Sequence, residues 1–401
     1  MKSTLVLALG LLAASQTAAY QITGTTESRD QNLIRTEYRI QVTDNPIDRF
    51  RMTRLVKDVP PSQLRGSILF FFPLGTTFGF YDQRDPNGAF GSSIAEFFAL
   101  RNFDVYGYSP RFEAIPAGTC ESGVFDCSIM KAWNLESMVE DIAFVRAQIE
   151  TLHPGTKIVA GGASLGGILA TAVADDAPED YDGFILWEGM LNTPDPAVRA
   201  LNQGYCAALE AQVAAGASFD SFISIFREVP RQARVDPSGL TQIPLFPPNL
   251  TNHQVMVLAF STPTPGPVSM PVPNYIQMNG SLAEDRLFFA SEERIFENVI
   301  DRFVNYTPVV TTRDISCSLA GVETKYVDNL GAFHGALLAI GGGRGFGPYL
   351  DDQLAQFTGT ADKTIRIKPG FGHIDHFMTP NHRELVERPI HEWALRVFGG
   401  H

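Results

Sequence analysis

The stretch KIVAGGASLGGILATAVADD, residues 157–176, sets one serine, Ser164, between pairs of glycines. Gly162 and Gly166 stand two before and two after it, a G-x-S-x-G pattern. Alone the pattern is weak, because three fixed positions recur by chance in glycine-rich chains. Its flanks give it weight. A strand pattern, Lys157–Gly161, runs straight into it and a helix pattern opens at Leu165, the setting of a nucleophile on a sharp strand-to-helix turn. Such a turn strains the serine backbone, and glycine at 162 and 166 avoids a clash there. The hydroxyl then projects at the carboxyl edge of a sheet, where open α/β sheets carry their sites. The plainer alternative is a glycine-rich loop packing strand on helix.

A serine hydroxyl needs a base. Of eight histidines, His373 is best placed, in KPGFGHIDHF just past the strand pattern Thr364–Lys368, and His376 is the runner-up. The plainer alternative for either is a surface histidine in a polar loop. A third group must orient the imidazole and stabilise its charged form. Glu188 directly follows the apolar run Gly183–Trp187, an unusual place for an ordinary solvated charge.

Elements able to position these groups alternate along the chain. Ile34–Val42 and Arg49–Val56 read as antiparallel strands joined at Asp44-Asn45-Pro46, and Ser67–Phe72 as a strand buried on both faces. Ser92–Arg101 reads as a helix and Phe103–Tyr108 as a strand. Leu135–Leu152 has the apolar spacing of an amphipathic helix. After Gly183–Trp187 the rhythm breaks for about 140 residues. That stretch holds helical patterns at Asp195–Ala214 and Ser291–Val304 and a proline-rich segment, Pro244–Pro273. Alternation resumes with the strand Gly335–Ile340, the helix Asp351–Phe357, Thr364–Lys368 and a closing helix, Arg383–Phe398. Strands alternating with helices predict βαβ units and a mainly parallel sheet, here of eight strands.

With Gly162-Ala163-Ser164-Leu165-Gly166 on this strand–turn–helix, and Gly-His-x-Asp after the last strand, the chain resembles the α/β-hydrolase superfamily over nearly its whole length outside the insertion. The resemblance implies an α/β fold: a mostly parallel eight-stranded sheet with an antiparallel start, flanked by helices, with a large cap inserted after the sixth strand. Residues 20–191 and 331–401 would form the core and residues 192–330 the cap or lid. It implies His373 as the catalytic base. Most relatives take the acid from the turn after the seventh strand, but here residues 341–347 read GGGRGFG, with no carboxylate before Asp351. Some relatives carry the acid at the tip of the sixth strand, which Glu188 matches. Asp351 or Asp352 is the alternative, and Asp375 is expected to hold the histidine loop. The oxyanion donors implied are the backbone N–H of Leu165 and one from the turn FFPLGTTFG, at Leu74 or Gly75, with Thr76 or Thr77 as possible hydroxyl helpers.

The chain begins MKSTLVLALGLLAASQTAAY: Lys2, a short apolar core, then small residues up to Ala19. This predicts a signal peptide over residues 1–19 and a secreted, soluble chain starting near Tyr20. No later run approaches the ~18 apolar residues of a membrane-spanning helix. The formal charge of -13 and pI near 5.1 argue against nucleic acid or an anionic membrane as partner. Four cysteines in an exported chain favour two disulfides: Cys120 with Cys127 could close a small loop, leaving Cys206 with Cys317. No cysteine or histidine spacing suggests zinc, and nothing calls for an organic cofactor. Sequons at Asn249, Asn279 and Asn305 are glycosylation candidates if the source is eukaryotic.

The expected activity is that of a secreted serine hydrolase acting on a carboxylic ester, with lactone or thioester variants, of a fairly bulky hydrophobic small molecule. IPLFPPNL, VMVLAF and PVSMPVPNYI in the insertion would form cap core or pocket wall, and Tyr106, Tyr108 and Arg111 are candidates for the pocket rim. Amidase or peptidase chemistry on the same triad is the enzymatic alternative. A non-catalytic binding module on this fold is the other. Epoxide hydrolase or dehalogenase chemistry is disfavoured, since relatives performing it usually carry aspartate in place of Ser164.

Overall fold

In the computed structural model the described residues are 20–220, 222–261, 276, 287–300 and 302–399. The segment read as a signal peptide and the Asn279 sequon lie outside them. Among the described residues no helix is long and apolar enough to cross a membrane.

The chain opens with three long strands, β1 (Gln21–Asp30), β2 (Leu33–Gln41) and β3 (Arg49–Lys57), paired antiparallel in sequence order. β4 (Ser67–Phe71) leads through α1 (Ile94–Ala99) to β5 (Asp104–Ser109). α2 (Leu135–Leu152) and β6 (Ile158–Ala163) follow, then α3 (Leu165–Asp176) and β7 (Gly183–Trp187). Among the described residues of the stretch that follows, none joins the main sheet. The intervening chain forms α4 (Pro196–Ala214), the two-residue strand β8 (Phe219–Asp220), α5 (Phe222–Val235) and α6 (Asn252–Ser261). It continues through α7 (Glu292–Ile295), β9 (Thr307–Pro308) and α8 (Val309–Leu319). β10 (Ala336–Gly342), α9 (Leu350–Ala355), β11 (Lys363–Lys368), α10 (Asp375–Met378) and α11 (Arg388–Val397) complete the fold.

The main sheet has nine strands in the order β1-β2-β3-β5-β4-β6-β7-β10-β11, parallel from β5 onward. One more strand is present than the eight expected. The addition is β1, QITGTTESRD, nearly all of it exposed. A polar edge strand that buries little carries no apolar alternation, so its sequence gives no strand signal.

Two cores sandwich the sheet. Leu69 and Phe71 of β4 face one and Ile68 and Phe70 the other, which is why SILFF is apolar without interruption. α2 begins where the Asn134 side chain accepts from Ser137 N, and it buries Leu135, Met138, Val139, Ile142, Val145 and Ile149 on one face. In the insertion, Cys206 of α4 is bonded to Cys317 of α8, and Cys120 is bonded to Cys127. Val255, Met256, Val257 and Phe260 of α6 are buried against the second core, whereas Leu245 of IPLFPPNL is exposed. Apolar runs of similar composition thus divide between packing and surface.

Candidate active site

Three loops at the carboxyl ends of β6, β7 and β11 converge. The first is the β6–α3 turn, where Ser164 takes φ 56° and ψ -117°, a left-handed region costly for a side chain-bearing residue. A Cβ at Gly162 or at Gly166 would overlap the Phe71 carbonyl oxygen of β4. Only glycine lets β6 and α3 approach β4 this closely. The turn is further held by Ser164 N, which donates to Trp187 O at 2.8 Å.

A buried tyrosine fastens the same turn. The Tyr81 hydroxyl donates to Phe71 O at 2.8 Å and accepts from Ala163 N at 2.7 Å. It thereby joins the end of β4 to the residue before the serine. Burial pushes the Tyr81 phenol well above its ordinary range, so it stays protonated and able to donate. Nothing in FGFYDQRD marks Tyr81 for this role, and sequence reasoning misses it.

The second loop is the tip of β7. Glu188 is fully buried and also lies at positive φ, 49°. Its Oε1 accepts from Gly342 N, and its Oε2 accepts from Phe346 N at 3.0 Å. These donors belong to GGGRGFG, the turn after β10 that lacks an acid of its own. Instead of supplying the carboxylate, the turn receives it. A Cβ on Gly345 would overlap the Glu188 carboxylate, so the glycines clear the space that it fills. Buried charge is tolerable only when hydrogen-bonded on all sides, and backbone amides provide that here.

The third loop follows β11 and carries His373. Its Nδ1 lies 2.9 Å from Glu188 Oε2 and its Nε2 lies 2.9 Å from Ser164 Oγ. A carboxylate only accepts, so Nδ1 carries the proton and Nε2 presents its lone pair to the serine hydroxyl. Both His373 and Glu188 are at most 1% exposed, while Ser164 keeps 8%. Asp375 Oδ2 accepts from Gly372 N at 2.7 Å and steadies the loop. The arrangement can take a proton from Ser164, hold it between serine and carboxylate, and return it to a leaving group.

The remaining candidates sort as follows. Leu165 opens α3 and Leu74 lies in the turn after β4, and neither backbone N–H donates to another group among the described residues. Thr76 Oγ1 donates to Pro73 O at 2.8 Å and Thr77 Oγ1 accepts from Gly79 N at 3.1 Å, so both hydroxyls serve the turn itself. Asp351 and Asp352 are exposed on the first turn of α9. His376 is buried, and burial, with the nearby His373 and Lys368 charges, lowers its pKa to about 3. Tyr106, Tyr108 and Arg111 are all buried and bonded to Asp104 or Asp141 rather than exposed at a rim. Their polar ends answer buried carboxylates, a pairing that strand-end position alone does not reveal. Asn249 is exposed, whereas Asn305 donates from its amide to Ile115 O at 2.9 Å and accepts from Arg227. Among the described residues, one set of donors lies within reach of a common metal ion, Cys206, Glu210 and Cys317, and its two sulfurs are joined in a disulfide.

The strand order, the strained serine between β6 and α3, and the histidine loop after the last strand give this chain the α/β-hydrolase fold. A profile of the family described as serine aminopeptidase, S33, matches residues 90–242. Among solved structures, the chain is similar to a protein assigned as a lipase from Sulfolobus solfataricus, with a TM-score of 0.61 at 15% identity over 93% of this chain and 99% of that one. It is also similar to a thermostable carboxyl esterase from Bacillus coagulans, with a TM-score of 0.52 at 14% identity over 95% of this chain and 100% of that one. At such identities the likeness is one of fold. No curated protein matches the chain.

Proposed function

We propose that this chain is a secreted serine hydrolase that cleaves a carboxylic ester of a fairly bulky hydrophobic small molecule. The observation that carries the reading is the unbroken chain from Ser164 Oγ through His373 to Glu188, two contacts of 2.9 Å each. Ser164 Oγ attacks the ester carbonyl as His373 Nε2 takes its proton. The tetrahedral oxyanion accepts from the backbone N–H groups of Leu165 and Leu74, two donors not otherwise engaged. His373 then protonates the leaving alcohol, and the acyl group stays on Ser164. Water, deprotonated by His373, releases the acid. Glu188 keeps Nδ1 protonated and stabilises the imidazolium formed twice per cycle. Residues 192–330 act as a cap over residues 20–191 and 331–401, and the apolar side chains of that cap set the substrate class. Residues 1–19 serve as the secretory signal, a reading that the two disulfides support. Of the two described sequons, Asn249 is the one whose exposure suits glycosylation.

The match to a profile described as a serine aminopeptidase favours a second reading, amide cleavage by the same triad. Both are tested by offering p-nitrophenyl esters of increasing acyl length, beside aminoacyl p-nitroanilides, to wild type, Ser164→Ala, Glu188→Gln and Asp351→Asn. Ester turnover that falls by at least about 10⁴-fold in Ser164→Ala supports the nucleophile. A fall of about 10²- to 10⁴-fold in Glu188→Gln, with Asp351→Asn near wild type, supports the acid. Turnover surviving in Ser164→Ala refutes the mechanism, and anilide turnover exceeding ester turnover moves the amidase reading to first place.

A further inference from the structure

His376, the second histidine of the loop, lies outside the proposed chemistry. It is 1% exposed, and neither ring nitrogen has a hydrogen-bond partner among the described residues. Buried polar atoms without partners are uncommon in folded proteins and call for an explanation. His376 lines a cleft of about 320 Å³ at the open edge of the sheet, together with Ile340, Leu385, Pro389, Arg366 and Lys368. Ile340 and His376 are the buried members, and Arg366 and Lys368 stand exposed at the mouth. Two residues apart on the edge strand β11, those two cations project from the same face.

We propose that this cleft binds an amphiphilic carboxylate, its head between Arg366, Lys368 and His376 and its apolar chain along Ile340, Leu385 and Pro389. Three observations carry the choice of ligand. Arg366 and Lys368 have no acidic partner among the described residues. The acid at the rim, Glu384, is paired with Arg388 at 3.0 Å, so an entering anion meets two cations that no carboxylate among the described residues answers, Lys368 lying over the Phe371 ring. A cation meets repulsion there, and a neutral ligand leaves both charges unanswered. The apolar wall in turn gives a small inorganic anion nothing to bury. His376 is neutral near pH 7, its pKa lowered to about 3 by burial. It therefore offers one N–H to a carboxylate oxygen without requiring a charge of its own. The volume is at the lower end of the range for small-ligand pockets. The proposal stands whether or not Ser164 cleaves esters.

Octanoate is the probe, with octanamide as its uncharged isostere, titrated calorimetrically into wild type and the Arg366→Ala/Lys368→Ala variant. Both substitutions fall on exposed side chains, and thermal melting checks that the fold is retained. Saturable octanoate binding is expected, weakened at least about tenfold in the double variant and at least about tenfold for octanamide, because charge-assisted hydrogen bonds are lost in each. Histidine-labelled protein adds a local readout: the ring resonances missing from His376→Gln should shift on octanoate addition to wild type. Absence of saturable binding overturns the proposal. So does equal affinity in the double variant, which puts the ligand elsewhere, or equal affinity for octanamide, which makes the cleft merely apolar.

Discussion

Tyr81→Phe removes one oxygen and tests whether the Ser164 turn is held from behind. The ring remains and no cavity larger than that oxygen opens. Two buried backbone groups lose their partner: Phe71 O and Ala163 N, now bonded at 2.8 and 2.7 Å. A buried donor or acceptor left unmet costs about 1–3 kcal/mol, offset in part because the hydroxyl no longer has to be desolvated. The expected loss of stability is about 2–4 kcal/mol, read as a lower urea midpoint at unchanged slope. Function should suffer independently of folding. Phe71 ends the strand that leads to the Leu74 amide and Ala163 precedes Ser164, so both nucleophile and oxyanion donor loosen together. A displacement of about 1 Å at a reacting centre can cost about 10²-fold, so kcat on a p-nitrophenyl ester should fall about 10- to 100-fold, measured well below the unfolding transition. A midpoint shift equivalent to less than about 0.5 kcal/mol, with kcat unchanged, would show that the hydroxyl fastens nothing.

Gly345→Ala should push the Glu188 carboxylate off its amides, since a Cβ there overlaps it. Ester turnover is expected to drop about as far as in Glu188→Gln, about 10²- to 10⁴-fold, and wild-type turnover would mean the turn yields freely. Replacing Cys206 and Cys317 together by serine opens a crosslink spanning 111 residues. Unfolding free energy should fall by up to about 5 kcal/mol, and a melting curve unaffected by this change or by reductant would refute that contribution. Acid should destabilise the protein partly through His376. Its folded pKa, about 3, lies below the ordinary 6.5, so between those values the unfolded chain binds the extra proton. Stability from this group is full above about pH 6.5 and declines as pH falls, by up to about 1.4 kcal/mol per unit. In His376→Gln the urea midpoint should decline less steeply from pH 6 to 4 than in wild type, and parallel declines would count against a buried neutral imidazole.

The elements nearest the chemistry were legible because their causes are local. β4 and β7 are uninterrupted apolar runs because the sheet buries them on both faces. The glycines around Ser164 follow from the steric demands of one turn, and Glu188 stood out as an acid at the tip of a buried strand. β1 left no mark, since an exposed edge strand needs only pairing and no apolar face. Tyr106, Tyr108 and Arg111 misled for a related reason: a strand's end is known from sequence, but the carboxylate each polar group meets is not. The turn at residues 341–347 was the place to look for an acid, and its meaning emerged only once Glu188 lay inside it.

Sequence by itself determined which residue types stand at strand ends and which backbone turns are feasible, because propensity, alternation and steric exclusion act within a few residues. Tertiary structure alone decided that Ser164, Glu188 and His373 meet, across 209 residues from serine to histidine. It alone chose Glu188 over Asp351 as the imidazole's partner, left His376 without a hydrogen-bond partner among the described residues, and placed Tyr81 behind the serine. Those outcomes depend on distances between separate loops, fixed by the order and register of a nine-stranded sheet and by no short-range rule.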